Sequence, residues 1–315
     1  MTKEKKEIAL LIPCYNEEQT IEKVINDFKR ETPFVEIYVY NNNSTDNTKE
    51  LAIKAGAVVK DEYLQGKGNV VRSMFQDIDA DVYVMVDGDD TYPAEEVNTL
   101  IEPVLEGKAD MVVGDRLSST YYTENKRPFH NFGNSLVKGL INFLFKSNIN
   151  DVMTGYRAFS KEYVKTMPVM SNGFQIETEM TVFALVNNMK VVQVPITYRD
   201  RPEGSFSKLN TLSDGRKVLI TLFNLFKDNR PFLLFGILSL IVFVVGLVVG
   251  IPVISEFIKT SYITKVPSAV LAAALMLNAF LLFSVGIILD AIKNEKRYLF
   301  ECHKNEIINR INKEK

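Results

Sequence analysis

Two uncharged stretches toward the C-terminal end set the first limit on what this chain can fold into. Residues 231–254 (PFLLFGILSLIVFVVGLVVGIPVI) and 266–289 (VPSAVLAAALMLNAFLLFSVGIIL) contain no Asp, Glu, Lys or Arg. Each is long enough to cross the hydrocarbon core of a bilayer. Buried helices of soluble proteins seldom run so far without a charge, and two such runs separated by residues 255–265 predict a transmembrane hairpin. Lys227 and Arg230 precede the first stretch, and Lys293, Lys296 and Arg297 follow the second. The connecting loop holds only Lys259 and Lys265, partly balanced by Glu256. Basic residues on the outer flanks predict both ends in the cytoplasm. Just before the hairpin, KVLITLFNLFKDNR is apolar with basic edges, the pattern of a helix lying in the membrane interface.

The rest of the chain reads as a water-soluble domain. A formal net charge of -2 and a pI near 5.9 lack the basic footprint of a nucleic-acid-binding protein. Cys14 and Cys302 are the only cysteines and stand at opposite ends, so no disulfide framework is expected. The opening MTKEKKEIALLIPCYNEE has a basic start, but its apolar run before Pro13 is too short for the core of a signal peptide. It reads as a first strand.

Strand-like and helix-like segments then alternate. EIALLIP, VEIYVY, AVVKDE, DVYVMVD and ADMVVGD read as strands. Between the first two, Ile21, Val24, Ile25 and Phe28 recur at helical spacing and make one apolar face. Ser44, Thr45 and Asp46 offer caps for a helix through KELAIKAG. NVVRSMFQDI and AEEVNTLIEPVLEG supply two more helices. The alternation predicts an α/β domain with a mostly parallel sheet and helices on both faces. In such sheets ligands bind beyond the carboxyl ends of the strands. Polar clusters stand at those places: PCYNEE after the first strand, NNNSTD after the second, DGDD after the fourth.

The chemistry of those clusters narrows the field. The first turn lacks the glycine-rich dinucleotide fingerprint, no phosphate-cradling P-loop occurs, and no G-x-S-x-G accompanies the only histidines, His130 and His303. Three carboxylates where an apolar strand emerges repel one another and lose solvation unless something offsets both costs. An isolated acidic turn would simply be solvated; beside the other two clusters, a divalent cation is the stronger reading. Asp87 and Asp89 point the same way and can share one cation, while Gly88 lets a ligand approach closely. Oxygen donors suit Mg²⁺ or Mn²⁺, completed by phosphate and water. Such a metal neutralises a diphosphate leaving group, which predicts transfer of the group attached to it.

LLIPCYNEE, NNNSTDNT, GKG, VDGDD, VVGDR and DVMTGYRAFS, in this order, resemble the inverting family 2 glycosyltransferases of GT-A fold. With the paired C-terminal spans, the chain is similar to dolichol-phosphate mannose synthases and bacterial polyprenyl-phosphate glycosyltransferases. The resemblance implies that Pro13, Tyr15, Asn16 and Glu17 lie against the nucleoside. Asn41 and Asn42 stand where the family often has a base-contacting Asp. It implies a metal and diphosphate motif at Asp87 and Asp89, with Thr91 in place of a Gln found in some relatives and Asp90 as a substitute ligand. It places Arg116 near the transferred phosphates and Arg201, Ser207 and Lys208 at the acceptor phosphate. Other residues keep two readings. Lys67 is a donor contact or a solvated loop lysine. Arg127 and His130 are acceptor contacts or surface residues, and Arg157 is a site residue or a structural partner. One of Glu177 and Glu179 faces the site.

These expectations define a cytoplasmic GT-A catalytic domain (1–210), an interfacial region (211–230), two transmembrane helices (about 231–254 and 266–290, within 231–292) and a cytoplasmic tail (293–315). The implied activity is sugar transfer from a nucleotide-sugar, UDP-glucose or UDP-N-acetylglucosamine foremost, to undecaprenyl or another polyprenyl phosphate, at the plasma membrane and for cell-envelope glycan assembly. Asp89, Arg116, Arg201 and Lys208 would carry catalysis, and relatives imply a homo-oligomer. Two rivals stand beside it. A processive polysaccharide synthase would carry a Gln-x-x-Arg-Trp motif, but the chain has no Trp. A membrane-tethered module that binds nucleotide-sugars without turnover would have no need of intact Asp87 and Asp89.

Overall fold

The computed structural model describes residues 6–118, 128–173, 175–199, 220, 223–224 and 226–314, with backbone alone at 128–134 and 314. Two compact units form: Met1–Val218 with His303–Lys315, and Leu219–Cys302.

The first unit is built on a seven-stranded sheet in the order β3-β2-β1-β4-β6-β5-β7. Its strands are β1 (Ile8–Cys14), β2 (Glu36–Asn41), β3 (Val58–Asp61), β4 (Val82–Met85), β5 (Met111–Asp115), β6 (Arg157–Ser160) and β7 (Val191–Pro195). β1 to β4 are mutually parallel, β6 runs antiparallel to both of its neighbours, and β7 pairs parallel with β5. The expected mostly parallel sheet is therefore present, with β6 as its one reversed strand. β1 and β4 are apolar along nearly their whole length because helices cover both faces.

The predicted helices form close to their expected limits: α1 (Ile21–Glu31), α2 (Thr48–Lys54), α3 (Lys67–Asp77) and α4 (Val97–Leu105), the last preceded by a 3-10 turn at Ala94–Glu96. Ile21, Val24, Ile25 and Phe28 of α1 are all buried, as their spacing requires. The cap position of α2 is Asn47 and not one of the three expected residues, although the carboxylate of Asp46, one residue earlier, accepts from the Thr48 amide at 3.1 Å. Ser44 instead accepts from the amide of Asn16, tying the loop after β2 to the loop after β1. Three further helices lie among the described residues of this unit: α5 (Pro128–Phe145), α6 (Lys161–Thr166) and α7 (Ile176–Val186).

β1 is the switch point of the sheet. The chain moves outward on one side through β2 and β3, then returns to place β4 on the other side. The loops after β1 and β4 therefore diverge and open a crevice between them.

The second unit contains α8 (Pro231–Thr260) and most of α9 (Val266–Glu314). Both are long and apolar enough to cross a membrane, and few residues of their apolar windows are buried in protein. The helix beginning at Val266 runs past the expected end of the second span, so the described part of the charged tail is helical as well.

Candidate active site

The crevice wall is assembled by side chains that join one loop to the next. Asn16 takes a left-handed backbone (φ 52°), and its amide oxygen accepts from the Thr45 amide at 2.8 Å. The Glu17 amide donates to Thr48 Oγ1 at 2.8 Å. The Cys14 carbonyl at the end of β1 accepts from the Asn42 amide. Pro13 pairs in register with Tyr40 of β2, while Tyr15 is left partly exposed at the mouth.

Asn41 and Asn42 are buried, and their side-chain amides are committed to the protein. Asn41 donates to Asp61 at 3.0 Å and accepts from the Ser44 amide. Asn42 donates to the carbonyls of Glu62 and Leu64, both at 2.9 Å, and accepts from the Gly66 amide at 2.7 Å. The structure thus gives Asn42 the task of clamping the β3–α3 loop. That loop leads into the GKG triplet, whose Lys67 opens α3, and the Gly68 amide donates to the Asn172 carbonyl at 3.2 Å.

Past β4 the acidic turn is held from below. The Thr20 hydroxyl donates to the Gly88 carbonyl at 2.6 Å. A Cβ added at Gly88 would stand 2.9 Å from Cys14 Sγ, so the close approach at this glycine is to Cys14, with Glu17 next to it. Asp89 is buried and accepts from the Thr91 hydroxyl at 2.6 Å. Asp90, at φ 58°, turns away and pairs with Lys23 of α1 at 2.6 Å. That pairing gives Asp90 a structural partner.

Lys67 is no solvated lysine. Its ammonium lies 2.5 Å from Asp87 Oδ1 and 2.6 Å from Glu177 Oε1, with its side chain 10% exposed. Burial pulls its pKa down, but the two carboxylates outweigh burial and raise it, so Lys67 stays charged. Glu177 is thus the member of its pair that faces the site. Glu179 accepts from the amides of Met170 and Ser171, both at 2.8 Å, and holds the loop before α7.

On the far side, Arg116 follows β5 and is nearly buried. Its Nε lies 2.7 Å from Asp151 Oδ2 and its Nη2 3.1 Å from Oδ1, and its guanidinium sits over the Tyr198 ring. Much of its donor capacity is spent within the protein. Arg157 is fully buried and is a structural residue: it donates to the carbonyls of Val152 and Thr154 and to the Thr181 hydroxyl, and burial lowers its pKa. The loop it shapes brings Gly155 against Asp87, where an added Cβ would stand 2.4 Å from Oδ2. The Gly155 amide donates to the Tyr92 hydroxyl at 3.0 Å. Burial pushes that phenol up to about 12, so it remains protonated. Arg127, Arg201, Ser207, Lys208 and the side chain of His130 lie outside the described residues.

The family model "Glycosyl transferase family 2" matches residues 9–167. The glycosyltransferase AglJ of Haloferax volcanii is 35% identical over 286 residues, covering 90% of this chain and 93% of its own. The chain belongs to glycosyl transferase family 2. A dolichyl-phosphate hexose transferase of the same organism is 31% identical over 67% of this glycosyltransferase and 90% of its own length. Among solved structures, glucosyl-3-phosphoglycerate synthase of Mycobacterium tuberculosis, in complex with Mn²⁺, UDP and glucosyl-3-phosphoglycerate, superposes with a TM-score of 0.57. It is 21% identical over 72% of this chain and 81% of that one, and the likeness establishes the GT-A fold.

The donor set of this glycosyltransferase suits a hard divalent cation. No group of three His, Cys, Asp or Glu side chains gathers among the described residues. Asp87 and Asp89 are two all-oxygen donors at a strand end, and Asp87 is partly open to solvent. Mg²⁺ and Mn²⁺ commonly accept so few protein ligands when phosphate oxygens and water supply the rest. The residues present fit such an ion carried in with a diphosphate.

Sequence reasoning missed Asp151, Tyr92 and the function of Glu177. Asp151 opens the quoted DVMTGYR segment, so a signal existed there. Nothing local marks Glu177 as a partner of Lys67.

Proposed function

We propose that this glycosyltransferase moves a sugar from a nucleoside-diphosphate sugar, with UDP-glucose or UDP-N-acetylglucosamine foremost, to a polyprenyl phosphate at the cytoplasmic face of a membrane, with inversion at the anomeric carbon. The observation that carries this reading is the union, in one chain, of an Asp87/Asp89 pair at the switch point of a GT-A sheet with two apolar helices of spanning length. The hexose transferase relative, named for dolichyl phosphate, supports the lipid acceptor. The UDP and Mn²⁺ of the solved neighbour support the donor and the cation. Exposed Leu136 and Phe143 on α5 add apolar surface suited to the membrane interface.

Asp87 and Asp89 would hold the cation. Bound there, it neutralises charge on the departing diphosphate. A lipid phosphate is already ionised near neutral pH, so it attacks without a general base, and placement of the two substrates supplies most of the rate. Arg201, Ser207 and Lys208 orient the acceptor, together with Arg127 and His130. Arg116, anchored by Asp151, fixes the rim of the site close to the transferred phosphates. Tyr15, Asn16, Glu17 and Lys67 border the nucleotide, and Asn41 and Asn42 hold the loops that shape its pocket. In this reading the domain 1–210 carries the site, and the region 211–230 and the hairpin 231–292 attach it to the membrane.

The test is incubation of membranes carrying the protein with radiolabelled nucleotide-sugars and undecaprenyl phosphate. Labelled lipid should be extracted with one donor, and the Asp89→Asn protein should yield none. Binding of every donor without turnover would instead identify a non-catalytic module.

A further inference from the structure

The strongest unassigned feature is the charge triad of Lys67, Asp87 and Glu177, in which Lys67 and Glu177 are nearly buried and Asp87 is partly open to solvent. We infer that Lys67 is a resident counter-ion that occupies Asp87 in the unloaded protein and withdraws toward Glu177 when a divalent cation arrives with the donor. This rests on the proposed reading of Asp87 and Asp89 as the cation site.

The geometry makes the exchange necessary. One ammonium serves two carboxylates, at 2.5 Å and 2.6 Å. A cation bound to Asp87 would share that carboxylate with a like charge already in contact with it, and like charges at such range disfavour each other strongly. Asp87 is braced on one side by Gly155, where an added Cβ would stand 2.4 Å from its other oxygen, so the carboxylate cannot move away from Lys67 in that direction. Lys67 therefore has to give way.

Glu177 makes withdrawal feasible. Its side chain is only 6% exposed and cannot be left without a partner, so the ammonium keeps a buried salt bridge when it leaves Asp87. Lys67 opens α3 directly after Gly66, at the end of the loop clamped by Asn42, so its Cα is fixed while its long stem moves. The donor's phosphates offer the same ammonium a second acceptor. Cation and diphosphate thereby favour each other through a protein group, and the unloaded site resists stray divalent ions.

Mn²⁺ binding to the purified full chain without nucleotide, followed by the loss of the free-ion EPR signal, tests this directly. Removing Lys67 alone strands a buried Glu177, so the informative protein is the double variant Lys67→Met with Glu177→Gln, whose charges fall together. It should bind Mn²⁺ roughly tenfold more tightly than the native protein, the scale expected for lifting one adjacent like charge. Equal or weaker binding overturns the inference. Adding Asp89→Asn to both proteins separates the two levels. If it abolishes binding while the double variant gives no gain, the cation site stands and the relay falls. If it changes nothing, or if no protein binds Mn²⁺ even with UDP added, the cation site itself falls and the relay with it. Mn²⁺ binding that appears only with UDP and is equal in the native and double-variant proteins overturns the relay alone.

Discussion

Asp151 grips Arg116 with both carboxylate oxygens at the carboxyl end of β5, and the pair is almost wholly buried. Breaking a buried pair by removing one partner leaves an uncompensated charge and costs about 3 kcal/mol or more. Asp151→Asn should therefore lower the thermal unfolding temperature of the detergent-solubilised protein by several degrees. Replacing both partners, Arg116→Met with Asp151→Leu, should recover much of that stability yet leave transfer impaired. Full activity in the double variant would confine Arg116 to a structural task.

Asp89 is the second test. Asp89→Asn removes a charged oxygen donor while keeping the shape and the Thr91 contact. Transfer should fall at least ~100-fold with the fold intact, on the scale of losing one transition-state charge contact. EDTA should reproduce the loss in the native protein, and added Mn²⁺ or Mg²⁺ should restore it. Unimpaired turnover of the variant in saturating metal would remove Asp89 from the site.

Asn42 offers a test without any charge. Asn42→Ala leaves two carbonyls and the Gly66 amide without partners in a buried setting, a cost of roughly 2–4 kcal/mol. Because the clamped loop leads directly into Lys67 at the start of α3, UDP affinity measured by calorimetry should weaken together with stability. Unchanged affinity in a destabilised protein would separate the clamp from the nucleotide site.

The difference between what could and could not be read in advance lies in how far each contact reaches along the chain. β1, β4 and α1 were legible because Leu10, Val84 and Ile25 belong to unbroken apolar runs or helical stripes that burial alone explains. β6 was not. Its four residues begin with Arg157, and its place between β4 and β5 depends on strand pairing, which leaves no local trace. The site follows the same division. Asp87 and Asp89 announced themselves as carboxylates at a strand end. Lys67 keeps two readings in the sequence because its partner Glu177 lies far along the chain, and the loop groups that hold the Asn42 amide come to it only through the fold.

For the acceptor, Arg201→Ala and Lys208→Ala should raise the KM for polyprenyl phosphate severalfold while leaving UDP binding unchanged. A comparable loss of UDP affinity would move these residues to the donor side.

Topology can be tested with single cysteines. Tyr262, just past α8, is exposed, and Tyr262→Cys with Cys302 replaced should react with an impermeant maleimide in intact cells. Cys302 in the native chain should react only after permeabilisation, and buried Cys14 should stay silent in both states. Labelling of Cys302 from outside would place the site away from cytoplasmic nucleotide-sugars and defeat the proposed function.

The position of β6 fixes an order of events during synthesis. It lies between β4 and β5 but is made after both, so a nascent chain that has not reached Arg157 holds the four strands β3-β2-β1-β4 and a lone β5 with no strand to join them. The outer edge of β4, fully apolar from Val82 to Met85, waits unpaired through that interval and is open to pairing with other chains. Only when Ala158 falls into register with both Val84 and Val112 do the Asp87 and Arg116 sides of the crevice acquire a fixed separation. A ribosome stalled in the α5 segment would therefore release an aggregation-prone half-sheet with every donor-side residue already present and no site between them.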